Sequence, residues 1–321
     1  MKAALCLRYG APEVVTIAEV PTPQPRAGEL LVRIHATTVS SGDRRIRALD
    51  LPGGFGPLGR PIIGFTRPRQ PILGTELSGV VEAIGTGVTR FKPGDAVVAF
   101  PGVGMACHAE YRCLPENGPV TLKPANLSHA QAAALFFGGT TARDFLRRGG
   151  LAAGHHVLII GASGSVGTAA LQLARQAGAR TTAVCSGANA ELARQLGACR
   201  VVDYTREDFT QTGETYDIIL DAIGTAPFAR SRHLLKTGGS LLLVMSSLGA
   251  MLAAPLNARR GRCRIIAGPA SERRDDVEFL AQLASDGHYT PVIDRIYPFD
   301  AIADAHRHTD TGHKRGNVVV Q

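Results

Sequence analysis

Residues 157–179 read VLIIGASGSVGTAALQLARQAGA. The aliphatic run Val157–Ile160 stops at Gly161, and glycine recurs at Gly164 and Gly167. Beyond it Val166, Ala170, Leu173, Ala174 and Ala177 share one helical face, and Gly178 supplies a stop. A short buried strand, a tight turn and an amphipathic helix are therefore expected in that order. In such a unit the glycines have a specific use. They allow the tight turn, let the backbone approach a dinucleotide pyrophosphate, and bring helix and strand close together. The amides that open the helix then face the phosphates. Gly161, Ala162, Ser163, Gly164, Ser165, Val166 and Gly167 are the candidate cradle.

Working outward, the pattern continues as strand TTAVC (181–185), helix AELARQLGA (190–198), and strands VVDY (201–204) and YDIILDAIG (216–224). A helix is expected through FARSRHLLK (228–236), ending at Gly238–Gly239, before strands SLLLVM (240–245) and CRIIAG (263–268). Six strands with helices between most of them predict an α/β, doubly wound parallel sheet. The first hundred residues differ. ELLVRIHATTV, LSGVVEAIG and DAVVAF alternate between Gly and Pro signals and read as β-rich. The stretch 49–74 is so rich in Gly and Pro that it reads as a long loop, with neither helix nor strand. Near the end, DDVEFLAQLASDG (275–287) predicts a helix and VIDRIYPF (292–299) a strand.

Composition bounds the function. The 321 residues are 45% hydrophobic and 19% charged, as in a globular protein with a large core. A net charge of +8 and a pI near 9.5 raise the question of a polyanionic partner. The chain has no tryptophan, and its arginines cluster only briefly, at 44–47, 259–264 and 273–274, which argues against nucleic acid. Six scattered cysteines without a CxxC motif, and an N-terminus soon interrupted by polar residues, predict free thiols in the cytoplasm. The apolar run from Gly238 to Leu256 carries glycines, serines and a proline, so a buried strand and loop are expected there, not a membrane span.

The second strand bears on which nucleotide fits. An NAD site places Asp or Glu near its end, about 20 residues past the glycines. AVCSGAN (183–189) has no acid, and Ser186 offers a hydroxyl to a 2′-phosphate, with Arg194, Arg200 and Arg206 nearby in sequence. The expectation is NADPH (NADP).

PILGTELSGVVEAIGTGVTRFKPGDAVVAF, AEY, GASGSVGTAALQLARQAGA, VVDYTREDF, YDIILDAIG and the terminal SDGHYTPVIDRIYPFDAIADAHRHTDTGHKRGNVVV together resemble the zinc-independent, quinone oxidoreductase-like branch of the medium-chain dehydrogenase/reductase superfamily. The resemblance implies a GroES-like β-rich catalytic domain, residues 1–122 and 269–321, and a Rossmann NADP-binding domain, residues 123–268, with the active-site cleft between them. It also implies that Ser186 and Tyr204 contact the 2′-phosphate, although relatives often carry lysine where Asn189 stands. Ser246 and Ser247 would line the nicotinamide, Asn317 would touch the cofactor, and the protein would be a homodimer.

Where zinc-dependent relatives place a Cys, a His before Glu, and a later Cys, this chain has Ser40, Thr75 and the pair Phe136–Phe137. Hydroxyls and phenyl rings do not make a zinc site, so no metal is expected. Without a Lewis acid, hydride delivery to a quinone or an α,β-unsaturated carbonyl suits the parts best, because the substrate's own carbonyl delocalises the charge. Ser40, Asp43 and Thr75 are the substrate-pocket candidates, with Asp43 equally suited to anchoring its loop or pairing with Arg44 or Arg45. Loop 52–71 with Phe55, Phe65, Phe136 and Phe137 suggests an apolar substrate. The alternatives are an alcohol or ketone dehydrogenase lacking zinc, and a nucleotide-regulated binding protein with little catalysis.

Overall fold

A computed structural model describes residues 1–321, the side chains of Pro57 and Leu58 excepted. In chain order the elements are β1 (Lys2–Cys6), β2 (Val15–Glu19), β3 (Glu29–Thr38), α1 (Ser41–Ala48), α2 (Gly56–Ile63), β4 (Leu77–Ile84), β5 (Ala96–Ala99), β6 (Tyr111–Pro115) and β7 (Val120–Leu122). Then come α3 (His129–Ala133), α4 (Phe136–Arg148), β8 (His156–Ile160), α5 (Ser165–Gln176), β9 (Arg180–Cys185), α6 (Ala190–Gln195), β10 (Arg200–Asp203), β11 (Tyr216–Asp221) and α7 (Phe228–Ser231). The chain finishes with β12 (Leu235–Leu243), α8 (Leu248–Gly261), β13 (Arg264–Ala267), α9 (Arg274–Ser285), β14 (Ile293–Tyr297), α10 (Ile302–Asp310) and β15 (Asn317–Val320).

The chain divides into two compact units: Met1–Leu51, Gly56–Phe137 and Glu272–Gln321 in one, Pro52–Phe55 and Gly138–Ser271 in the other. In the first, antiparallel β1–β2 accompanies a seven-stranded sheet ordered β14-β15-β3-β4-β5-β7, with β6 also on β3. Leu30, Val32, Leu77, Val81, Val97 and Leu114 form its main core, and α10 seats Ile302 and Ala305 on Val318 and Val320. Residues 123–137, grouped by sequence with the nucleotide-binding part, belong to this first unit. There α3 packs Ala130, Ala133 and Ala134 against Ala36 and Val319.

The second unit holds six parallel strands ordered β10-β9-β8-β11-β12-β13, the doubly wound arrangement expected from sequence. Its core is mainly aliphatic, with Leu158, Ile160, Val184, Val202, Ile219 and Leu241 buried beside Phe209 and Tyr216, as a parallel sheet covered on both faces requires.

Two elements correct the sequence reading. The Gly/Pro stretch contains the two-turn helix α2, whose Gly and Pro content hid it. The helix expected over 228–236 is confined to α7 and a 3₁₀ turn at Arg232–Leu234, because β12 starts at Leu235 and runs through the glycine pair that reads as a helix stop. Among the described residues no helix is long and apolar enough to cross a membrane. The apolar run from Gly238 is β12 followed by α8.

Candidate active site

In the second unit, the sequence-predicted nucleotide residues gather at the carboxyl edge of the parallel sheet. Gly161 follows β8, Ser186 follows β9, Tyr204 follows β10, and Ser246 and Ser247 follow β12. The order of the sheet reverses between β8 and β11, and it is beside such a switch point that a doubly wound sheet binds its ligand.

The turn between β8 and α5 tests whether a dinucleotide fits. Gly161 has φ +78°, and a Cβ there would also meet Ile223 at 2.7 Å. A Cβ at Gly167 would lie 2.2 Å from the Gly161 carbonyl oxygen and 2.6 Å from Ala162 Cα, so the close approach of turn and helix requires glycine. Gly164 is different. Its φ of −80° suits any residue, and its Cβ would meet nothing closer than that same carbonyl oxygen at 3.6 Å. The chain's own packing does not demand glycine at 164, whereas a phosphate approaching the backbone does. Gly164 caps α5 without a side-chain hydrogen bond, at the positive end of a twelve-residue helix. The residues present therefore fit a dinucleotide.

Around it, Ser186 Oγ accepts from Asn189 Nδ2 at 3.1 Å. Tyr204 is exposed. Arg194 lies 3.7 Å from Glu191, Arg200 pairs with Glu214 at 3.1 Å, and Arg206 lies 3.7 Å from Asp203. Ser247 Oγ caps α8 by accepting from the Ala250 amide, while Ser246 is half-buried beside it. Two acids here escape sequence reading. Asp221, fully buried at the end of β11, accepts from the amides of Ile223, Gly224 and Ala226 at 2.6–3.1 Å and shapes the loop facing Gly161. Asp203, last in β10, pairs in register with Cys185 and brings its carboxylate against Gly187.

In the first unit, Ser40 and Asp43 form the capping box that starts α1. Ser40 Oγ accepts from the Gly42 and Asp43 amides and donates to Asp43 Oδ2 at 2.6 Å, and Asp43 Oδ1 accepts from the Gly74 amide at 2.8 Å. Asp43 is wholly buried and holds the loop, while Arg44 turns to Asp50 and Asp310. Thr75 is the third candidate. It is 7% exposed, and its hydroxyl finds no partner in the chain.

Beside it, Glu76 is completely buried and accepts from Thr38 Oγ1 at 2.6 Å and from the Phe136 and Phe137 amides at 2.9 and 2.8 Å. Burial pushes its pKa up to about 7, against the pull of those three donors. An acid inside the apolar stretch LGTELSG was its sequence signal. Asn317 opens β15 in this same unit and spends its Nδ2 on the Val292 carbonyl at 3.0 Å. Among the described residues, no three His, Cys, Asp or Glu side chains converge as metal ligands.

The alcohol dehydrogenase GroES-like domain family matches residues 26–143, and the zinc-binding dehydrogenase family residues 196–320. The chain is 32% identical to a mitochondrial NAD(P)H oxidoreductase of Mus musculus, over 91% of this chain and 81% of that one. It belongs to the medium-chain dehydrogenase/reductase superfamily, in the quinone oxidoreductase-like branch. It is an oxidoreductase of that family. A 2-methylene-furan-3-one reductase of Solanum lycopersicum is 30% identical over 100% of this chain and 79% of its own. A solved quinone oxidoreductase from Coxiella burnetii superposes with a TM-score of 0.87 at 27% identity, covering 100% of this chain and 98% of that one.

Proposed function

We propose that the protein is an NADPH-dependent reductase of apolar quinones or α,β-unsaturated carbonyl compounds, working without a metal. The observation that supports this reading is the glycine turn, where packing accounts for Gly161 and Gly167, while Gly164, under no such demand, leaves the backbone open to an approaching phosphate. When bound, the nicotinamide supplies a hydride to an electrophilic carbon of the substrate. Residues 161–167 and the first amides of α5 hold the pyrophosphate. Ser186 and Tyr204 take the ribose 2′ end, and Ser246 and Ser247 the nicotinamide end. Thr75 has a hydroxyl without a partner in the chain, which suits it to donate to a substrate carbonyl and stabilise negative charge on it. Ser40 and Asp43 position it by fixing the Gly74 amide just before it. Six unpaired thiols suit a reducing cytosol.

The test is oxidation of NADPH and NADH against a panel of quinones, enones and ketones, with and without chelator. Turnover of quinones or enones that a chelator leaves unchanged is expected, and Thr75→Val should lower kcat at least tenfold with dinucleotide binding intact. Turnover confined to ketones or alcohols would replace this reading with that of a dehydrogenase. Tight dinucleotide binding with no turnover of any class would point to a regulatory binding protein. Light scattering on the same preparation, expected to give twice the chain's 33.8 kDa, checks the homodimer.

A further inference from the structure

The sequence rule for cofactor choice inspects the end of the second strand of the parallel sheet, and AVCSGAN there has no acid. The fold supplies one from the third strand. β10 runs parallel to β9 with Asp203 opposite Cys185, so Asp203 stands beside the turn that starts at Ser186. A Cβ on Gly187 would fall 2.5 Å from Asp203 Oδ2, which means the carboxylate fills the space that any other residue at 187 would occupy. Its other oxygen, Oδ1, accepts from the Thr205 amide at 3.0 Å and from Thr205 Oγ1 at 2.8 Å. These bonds, with the Gly187 amide as a further donor, keep the carboxylate charged and fixed in place.

The cations that would offset it are weakly placed. Arg206 approaches Oδ2 only to 3.7 Å and is 85% exposed, Arg194 is likewise exposed and comes no nearer than 3.7 Å to Glu191, and Arg200 is paired with Glu214 at 3.1 Å. No lysine stands at 189, where Asn189 instead engages Ser186.

We propose that Asp203 is a specificity-determining residue, a fixed carboxylate beside Ser186 that weakens the hold on a 2′-phosphate and lets NADH compete with NADPH. Like charges held at short range repel, whereas a ribose 2′-hydroxyl gains an acceptor from the same group. The inference rests on the reading of Gly161–Gly167 as a dinucleotide cradle. It deepens that reading by naming what sets the choice of nucleotide.

The test is calorimetric titration of the purified protein and of Asp203→Asn with NADPH, NADH, 2′-AMP and 5′-AMP. The native protein is expected to bind the two dinucleotides within about tenfold of each other. In Asp203→Asn the preference for NADPH should rise five- to tenfold, 2′-AMP should tighten in parallel, and 5′-AMP should stay unchanged. Asp203→Ser keeps an acceptor for the Thr205 amide and gives the same readout if the Asn variant folds poorly. Equal weakening of all four ligands would reduce Asp203 to a brace for the 186–189 turn and overturn the proposal. So would a preference that moves less than twofold. If the native protein binds neither dinucleotide, the cradle reading fails, and this proposal with it.

Discussion

A methyl group added at Gly167 would have to displace backbone on both sides of the turn, because its nearest neighbours are a carbonyl oxygen and a Cα. The same methyl at Gly164 meets nothing tight. Gly167→Ala is therefore expected to cost about 3 kcal/mol or more, the upper range for overpacking, and to lower the urea midpoint clearly. Gly164→Ala should cost no more than about 1 kcal/mol, the value of a poorer N-cap residue. Yet it should weaken NADPH at least tenfold by obstructing the pyrophosphate. Wild-type affinity in Gly164→Ala, measured by calorimetry, would remove the argument that its glycine serves a ligand. This turn was legible in the sequence because its constraints are local: strand, glycines and helix are contiguous. Asp203 was not. Its nearness to Gly187 depends on the register between β9 and β10, which no residue spacing encodes. Sequence offers Ser40 as a substrate-pocket candidate and Asp43 equally as a pocket residue or an anchor of its loop. That their polar atoms are consumed by each other and by Gly74 is a matter of rotamers and burial.

At the scale of elements, the six strands and α5 stood out because aliphatic runs and a 3.6-residue period survive any tertiary context. α2 and the start of β12 did not, since glycine and proline mark breaks only where packing does not override them. The start of α4 shows the strongest such override. Its first two amides are satisfied by Glu76, about sixty residues earlier in the chain, so no local capping signal exists. Removing this acceptor takes away the carboxylate that the Phe136 and Phe137 amides share at the helix end. Glu76→Ala is expected to cost about 2–4 kcal/mol. Glu76→Gln keeps a carbonyl for the amides and presents its NH₂ to Thr38 Oγ1, so it should cost about 1 kcal/mol or less at neutral pH. Because the folded-state pKa of Glu76 is raised to about 7, the native group binds its proton more tightly than the unfolded one. Its contribution to stability is full below pH 4.5 and is lost as pH rises through 7. The Gln variant does not titrate, so relative to it the native protein should weaken between pH 6 and 8. Chemical denaturation at both pH values checks this, and a constant difference between the two proteins would refute it.

Across the whole molecule, histidines give the opposite pH dependence. Burial lowers the pKa of His35, His129, His156 and His306, with His129 lowered to about 4, where His35 and Lys123 add repulsion. His129 stacks on His35 at 4.6 Å and shares a 2.7 Å hydrogen bond with Ser78 Oγ, an arrangement that suits a neutral ring. A basic molecule carrying +8 before any histidine titrates gains further repulsion from each proton it accepts. The sign follows from the lowered values. Above pH 6.5 both folded and unfolded states leave these rings neutral, and stability is unaffected. Below it the unfolded chain takes up protons that the native rings refuse, so stability falls as the pH drops from 6.5 toward 4. Glu76 opposes this between pH 7 and 4.5, and Glu272, whose pKa burial also raises, acts in the same direction, but the four histidines outnumber them. His129 is half-buried and keeps some water, so its own share between pH 7 and 5 is about 1 kcal/mol. Urea unfolding should therefore show lower stability at pH 5 than at pH 7. His129→Gln, which keeps a partner for Ser78, should recover about that amount at pH 5 and none at pH 7. Equal stability of the native protein at the two pH values would mean that the rings accept protons in the folded state. An unchanged pH slope in His129→Gln would assign the effect to His306 and the remaining histidines.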